Sequence, residues 1–162
     1  MKNAAGVMTL GQISEALFIL LLPIFLNKYG IKKTLIVGMF AWSLRYVLFA
    51  FGDTGSNIWM LIFGIVLHGI CYDFFFVSGQ IYTDFKAGSQ FKSSAQGLIT
   101  LATYGLGMLV GFRVAGKITD LYSIDSSHDW TQIWLIPSGF AFIVLIFFIL
   151  TFKDEKIKLE NE

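Results

Sequence analysis

Charged residues are scarce in this sequence: they make up 14% of its 162 residues, against roughly 25% in ordinary soluble domains. The single cysteine, Cys71, excludes an internal disulfide. The sequence also lacks a phosphate-binding glycine loop, a metal-binding pattern of histidines or cysteines, and a nucleophile next to a base at helical spacing. We therefore expect no enzyme activity, no metal and no organic cofactor. The net charge of +1 indicates no acidic partner, and we expect no binding of nucleic acid.

Apolar and aromatic residues are abundant instead, at 56% and 17% of the chain. A soluble domain of this size could not bury so much apolar surface, whereas a lipid bilayer accepts it directly. Five apolar runs come close to the roughly 20 residues that cross the hydrocarbon core. They lack period-two alternation, so helices are expected. The predicted spans are residues 5–26, 34–51, 58–82, 93–116 and 130–152.

The basic residues outside these spans predict the orientation of the chain in the membrane. Lys2 and Lys117 lie on one side of the predicted topology, and all the other lysines lie on the opposite side. By the positive-inside rule, the N-terminus faces out and the C-terminus faces the cytoplasm. The lysines on the cytoplasmic side are Lys28, Lys32, Lys33, Lys86, Lys92, Lys153, Lys156 and Lys158.

Polar side chains occur deep within the first two predicted spans. Gln12 and Glu15 are three residues apart and share a helix face. Glu15 lies about 18 Å along the helix from Asn27, and Arg45 lies about 17 Å from Thr34, at a rise of 1.5 Å per residue. A charged group at that depth is costly and commonly has a function.

The third span adds His68, Tyr72 and Asp73 within an apolar run. His68 and Tyr72 share a face at i and i+4, and Asp73 lies at the edge of that face. If Glu15, Arg45 and Asp73 were all ionised, the membrane interior would carry an uncompensated negative charge. We therefore expect one carboxyl to be protonated part of the time, as proton-coupled transport requires. The alternative is a fixed pair between Arg45 and one acid, with the other acid only facing water.

The fourth span has a narrow polar stripe at i, i+4 and i+7, formed by Gln96, Thr100 and Thr103. Gly107 and Gly111 follow at the spacing that lets two helices approach closely. We expect these glycines to pack inside the helix bundle. The fifth span has no polar group in its core and is expected to be a lipid-facing support helix.

Five short segments of this sequence carry a resemblance to a known family. One is the connection from Pro23 to Lys33, and the more specific ones are Gly11-Gln-Ile-Ser-Glu15, Ala41-Trp-Ser-Leu-Arg45, Gly69-Ile-Cys-Tyr-Asp73-Phe-Phe and Ser93-Ser-Ala-Gln96-Gly-Leu. The connection is similar to the signature that the major facilitator superfamily carries between adjacent helices on the cytoplasmic side. In their order and spacing, the other four segments resemble the bacterial nucleoside:proton symporters of that superfamily.

This resemblance implies an all-α polytopic membrane protein, a partial major facilitator half-bundle of five transmembrane helices that corresponds to helices eight to twelve of a transporter. It implies nucleoside transport by proton symport across the cell inner membrane, with the substrate near the midplane. The resemblance implies that four residues contact the nucleoside: Gln12, Glu15, His68 and Tyr72. Glu15, Asp73 and Arg45 are the candidates for proton coupling and charge balance. His68 stands where the family is expected to have tyrosine.

The same resemblance implies that the remaining transporter helices are partners and that this chain alone does not transport. Two alternatives stay open. One is transport of another small polar solute such as a sugar, because amide and carboxylate groups also suit hydroxyl-rich ligands. The other is a membrane remnant or interaction subunit that transports nothing.

Overall fold

The computed structural model describes residues 4–124 and 127–154, which are helical apart from short connections and one small hairpin. Lys2, Lys156 and Lys158, which contributed to the predicted orientation, lie outside the described residues. The helices are α1 (Ala4–Phe51), α2 (Ile58–Cys71), α3 (Ser78–Thr100), α4 (Met108–Leu121) and α5 (Trp130–Thr151). Two π-helical stretches, Tyr72–Val77 and Leu101–Gly107, join α2 to α3 and α3 to α4, and strands β1 (Ser123–Ile124) and β2 (Ser127–His128) precede α5.

Three continuous helical stretches in the described residues are long and apolar enough to cross a membrane: Ala5–Phe51, Ile58–Leu121 and Trp130–Thr151. A straight helix of 47 residues would be about 70 Å long at 1.5 Å per residue, more than twice the ~30 Å of a bilayer core. The first two stretches are not straight. Gly30 and Gly88 have φ values of +79° and +68°, which interrupt the helical conformation and favour glycine.

These two glycines divide the described residues into five helical segments: segment 1 (4–29), segment 2 (31–51), segment 3 (58–87), segment 4 (89–121) and segment 5 (130–151). Most of them extend a few residues past the predicted apolar spans, because helical hydrogen bonding continues into the polar connections. Segments 1 and 3 run in the same direction, since Gly11 lies beside His68 and Phe18 lies beside Phe74.

Segment 2 runs antiparallel to segment 3. Gly38 lies against the backbone of Phe74, and Phe49 lies against Gly64. Segments 1 and 2 are therefore antiparallel to each other, and the chain reverses at Gly30. The packing of segments 1, 2 and 3 buries an apolar cluster near this turn, made of Leu22, Leu26, Ile31, Leu35 and Phe74.

Segment 5 packs along segment 2 in the opposite direction. The hydroxyl groups of Ser43 and Ser138 donate to each other's backbone carbonyl oxygens at 3.1 and 2.9 Å. At the end of segment 5, Lys32 donates its ammonium group to the carbonyl oxygens of Ile149 at 3.0 Å and Phe152. A cation at the C-terminal end of a helix is favourable because unpaired carbonyl groups gather there. The turn at Gly30 and the end of segment 5 therefore lie at the same end of the bundle.

Segment 4 differs from the other segments because little of it is covered. None of the residues of Leu101–Gly107 or α4 is buried. The expectation that Gly107 and Gly111 pack inside the bundle is wrong for the described part of this chain, because a Cβ atom added at Gly111 would meet nothing within 4 Å. Segment 4 is held mainly near its start, where Gln96 donates to the Gln80 carbonyl oxygen at 2.8 Å and to the Asp84 carboxylate at 2.7 Å.

Candidate functional site

The close approach of segments 1 and 3 brings two of the predicted site residues together. A Cβ atom added at Gly69 would lie 2.5 Å from the backbone of Ser14, a distance that real Cβ atoms do not reach. Ser14 also donates its hydroxyl group to the carbonyl oxygen of Val66. Because only glycine allows this contact, Glu15 on segment 1 is placed next to His68 on segment 3.

Glu15, His68 and Arg45 form a line of three polar side chains from three different segments. The Arg45 Nη1 atom lies 2.8 Å from His68 Nδ1, and His68 Nε2 lies 3.9 Å from Glu15 Oε2. The side chains of His68 and Glu15 are 32% and 34% exposed, so the described residues cover both only in part. A cation, an imidazole ring and a carboxylate therefore lie side by side in the bundle.

Arg45 makes no direct contact with either of the two acids considered as its partner, Glu15 and Asp73. Arg45 points to His68 instead, and neither carboxylate oxygen of Asp73 has a hydrogen-bond partner within the described residues. The reason is rotational: Asp73 lies about 100° around the helix from Tyr72, so it turns into the bundle, whereas His68 faces segment 2. The number of charges in the sequence does not show whether Arg45 contacts Asp73 or His68.

Aromatic rings hold the Arg45 guanidinium group in place. Its central carbon lies 5.7 Å from the Trp42 ring and 5.2 Å from the Phe49 ring, both on the same segment. Cations are attracted to aromatic faces, and the attraction increases when the group is shielded from water. These contacts help to explain how an arginine without a carboxylate partner is accommodated at this depth.

Asp73 is fully buried and lies at the start of the first π-helical stretch. π-Helical turns are frequent at functional sites. An ionised carboxylate with no donor is unfavourable in such surroundings, so Asp73 requires either a proton or a donor from outside the described residues.

Tyr72 lies next to His68 along segment 3. We call the surface formed by Glu15, His68, Tyr72 and Tyr104 the site wall. The Tyr72 ring lies 5.9 Å from the His68 ring, in agreement with their i, i+4 spacing. Its hydroxyl oxygen lies 3.1 Å from that of Tyr104 on segment 4, and the Tyr104 ring stacks on Phe76 at 6.1 Å. The two π-helical stretches therefore face each other through Tyr72 and Tyr104.

Tyr104 is a site residue that sequence reasoning did not select. The polar stripe of its span directed attention to Gln96 and Thr103, but Gln96 binds segment 3 far from Tyr72, and Thr103 donates to the carbonyl oxygen of Ile99 in its own helix. The available signal was the position of Tyr104 next to that stripe. Gln12 is exposed on the side of segment 1 that carries Glu15.

The arrangement offers flat rings beside one carboxylate, one imidazole and phenolic hydroxyl groups. Such a wall suits a ligand that has both a flat ring and several hydroxyl groups, because stacking and hydrogen bonding are available together. In the parts of the chain that the structure describes, no cluster of His, Cys, Asp and Glu side chains could hold a metal ion.

Comparisons with known proteins identify the family and the fold of this chain. The family model described as nucleoside H⁺ symporter matches residues 1–157. Nucleoside permease NupG of Escherichia coli (strain K12) is 35% identical over 159 residues, which are 98% of this chain and 38% of the permease. The putative nucleoside transporter YegT of the same organism is 38% identical over 162 residues, covering 95% of this chain and 38% of YegT.

A crystal structure of the nucleoside transporter NupG superposes on this chain with a TM-score of 0.85 at 35% identity, over 93% of this chain and 38% of that one. The predicted fold, an all-α partial major facilitator bundle, is confirmed. This chain spans less than two fifths of the length of the relatives it matches.

Proposed function

This multi-pass membrane chain belongs to the nucleoside H⁺ symporter family, and from that premise we propose that it forms part of a transporter that moves nucleosides together with protons. The observation that carries the proposal is the line from Glu15 through His68 to Arg45 beside the Tyr72 ring. These residues supply polar groups for a ribose or base and rings for stacking. The relative NupG is a nucleoside permease, and we assign no catalytic role to this chain.

Glu15, His68 and Tyr72 form the substrate side of the proposed site, together with Gln12. About a third of each of the Glu15 and His68 side chains is exposed in this chain, which leaves both accessible to a ligand. In the transport cycle, the nucleoside binds against this wall in one orientation of the transporter and leaves after the two halves have rocked to the other.

Asp73 and Glu15 are the proposed sites of the coupled proton, and Arg45 balances their charge through His68. Asp73 has the more demanding environment, because it is completely buried and neither carboxylate oxygen has a described partner. A proton that enters with the substrate would make this carboxyl neutral while the site is closed. No cofactor other than the proton is proposed.

The proposed partners are the remaining transporter helices, of which one covers segment 4. An apolar groove of about 1030 Å³ separates segments 4 and 5, and Gly107, Gly111, Val114, Trp134 and Pro137 are among its lining residues. The glycines provide a surface on which another helix can pack closely. We propose that a transmembrane helix from outside this chain fills the groove and completes the bundle.

The proposed location is the cell inner membrane, with the N-terminus outside and the C-terminus in the cytoplasm. The turns at Gly30 and Gly88 and the end of segment 5 carry Lys28, Lys86 and Lys153 among other lysines. The antiparallel course of the segments brings these connections to one end of the bundle. That end is the cytoplasmic one by the positive-inside rule.

A chimera tests this function: this chain replaces the region of NupG that it matches, and proton-driven uptake of labelled uridine is measured in cells. Glu15→Gln removes the carboxylate charge and keeps the side-chain shape. We expect uptake to fall about tenfold or more, as for a lost contact of ~1.4 kcal/mol.

Asp120→Asn, an exposed site outside the wall, is the control. Full uptake by Glu15→Gln at equal expression would contradict the role of Glu15. Suppression of uptake by free sugars would favour a sugar substrate.

A further inference from the structure

We propose that Arg45 is a positioning residue that fixes His68 in one neutral tautomer, with the proton on Nε2, so that the ring offers an N–H donor to a ligand hydroxyl group bound next to Glu15. The hydroxyl part of this proposal rests on the proposed function. The tautomer part depends only on the geometry of the described residues.

The donor and acceptor roles follow from the chemistry of arginine. A guanidinium group has five N–H donors and no acceptor, and it stays protonated in proteins. The atom 2.8 Å from Arg45 Nη1 is His68 Nδ1, which must therefore accept through its lone pair. An imidazole ring whose Nδ1 accepts a hydrogen bond carries its proton on Nε2.

Arg45 is well held for this purpose. Its guanidinium group lies over the rings of Trp42 and Phe49, which restrict its position. The titratable or charged groups that contact His68 come from three segments: Arg45 from segment 2, Glu15 from segment 1 and Tyr72 from its own segment. The ring dipole is aligned favourably, because the Nδ1 lone pair faces the cation and Nε2–H faces the carboxylate.

The gap on the other side of the ring indicates the ligand group. His68 Nε2 and Glu15 Oε2 are 3.9 Å apart, which is longer than the ~2.7–3.2 Å of a hydrogen bond. A hydroxyl group is both donor and acceptor, so it can accept from Nε2–H and donate to the Glu15 carboxylate at once. A carbonyl or ether oxygen could make only the first contact. The geometry thus favours a ligand that presents a hydroxyl group here.

Nitrogen NMR of histidine-labelled chain in lipid nanodiscs tests the tautomer. His128→Gln leaves His68 as the only histidine of the chain. At neutral pH we expect one neutral species with an unprotonated Nδ1. Arg45→Met removes the donors and keeps an apolar stem, and it should lower the ratio of Nε2–H to Nδ1–H tautomer about tenfold, equivalent to ~1.4 kcal/mol. Arg45→Lys, which retains a donor, should lower the ratio less.

The tautomer assignment is overturned if His68 is an imidazolium or carries its proton on Nδ1. It is also overturned if a folded Arg45→Met variant keeps the wild-type ratio. Because the first measurement uses unaltered Arg45, it remains decisive even if Arg45→Met does not fold.

The ligand part uses uridine and uracil as probes of the NupG chimera, with the same labelling of His68. Uridine, which has ribose hydroxyl groups, should shift the Nε2 resonance, and uracil should not. If the chimera transports uridine and the resonance does not move, the hydroxyl contact is wrong and the proposed function stands. If the chimera does not transport uridine, the proposed function fails, while the tautomer in this chain is decided separately.

Discussion

Segments 3 and 4 follow one another along the chain and are both helical, but only segment 3 is packed on several sides. It buries Leu67, Cys71, Asp73 and Phe74 against segments 1 and 2. Segment 4 buries nothing in its π-helical stretch or in α4.

The difference between them lies in their partners. Segment 3 finds its neighbours within this chain, and its polar residues are consequently placed with defined geometry. Segment 4 presents glycines and apolar side chains to an open groove. Segments 1, 2 and 3 already hold the proposed site residues Glu15, Arg45 and His68 in contact. The uncovered surface of segment 4 agrees with the proposal that a helix from outside this chain packs there.

The largest expected effect comes from placing the same small substitution in each of the two segments. Gly69→Ala would force a methyl group against the Ser14 backbone and should lower the free energy of unfolding by about 1–3 kcal/mol or more. Gly111→Ala meets open space and should be neutral or raise it by about 0.5–1 kcal/mol, as expected for glycine replaced in a helix.

Thermal unfolding of both variants in the same detergent measures this difference. Equal midpoints for Gly69→Ala and Gly111→Ala would show that segments 1 and 3 do not approach as closely as described, and the contrast with segment 4 would be lost.

Asp73→Asn should change stability less than Gly69→Ala does, but it should impair transport. The amide is nearly isosteric with a neutral carboxyl group, and its polar atoms have no described partner either, so the free energy of unfolding of this chain should change by less than about 1–2 kcal/mol. Proton-driven uridine uptake by the NupG chimera should fall about tenfold or more, by loss of an interaction of ~1.4 kcal/mol. Asp120→Asn is again the control. A chimera with Asp73→Asn that still takes up uridine at the wild-type rate would remove Asp73 from the proposed coupling.

The smallest expected effect is a change of lipid access at the groove, which concerns segment 4 alone. A spin label on Val110→Cys, in a Cys71→Ala background, should collide readily with dissolved oxygen in this chain and less in the NupG chimera, because an added helix covers Val110. A label on Ile143→Cys, which is 67% exposed and lies outside the groove, should show no such decrease. Equal oxygen access at Val110 in both proteins would argue against a helix in the groove.

The sequence was sufficient for the fold and the family. The apolar runs predicted an all-α membrane fold, and short motifs around Glu15, Arg45 and Asp73 predicted the family, which the family model confirmed. The spacing of His68 and Tyr72 correctly predicted a shared face. These features depend on local sequence, which is why they could be recognised without a structure.

The partners of the polar groups could not be predicted in the same way. Whether Arg45 meets Asp73 or His68 depends on the rotation of segment 3 about its axis and on how closely Gly69 lets segment 1 approach. The pairing of Tyr72 with Tyr104 depends on two π-helical stretches, which the apolar pattern does not reveal. The roles of Gln12, Glu15, His68, Tyr72, Arg45 and Asp73 in transport stay predictions.

Proton movement on addition of uridine tests the central claim most directly. The purified NupG chimera is reconstituted in liposomes that contain a pH-sensitive dye, and uridine or glucose is added outside. The proposed function predicts that uridine acidifies the interior and that Glu15→Gln lowers the rate of this response about tenfold or more at equal protein content, whereas glucose has no effect in either case. Uridine entry without acidification, or an equal response to glucose, would contradict a nucleoside:proton symporter built on this wall.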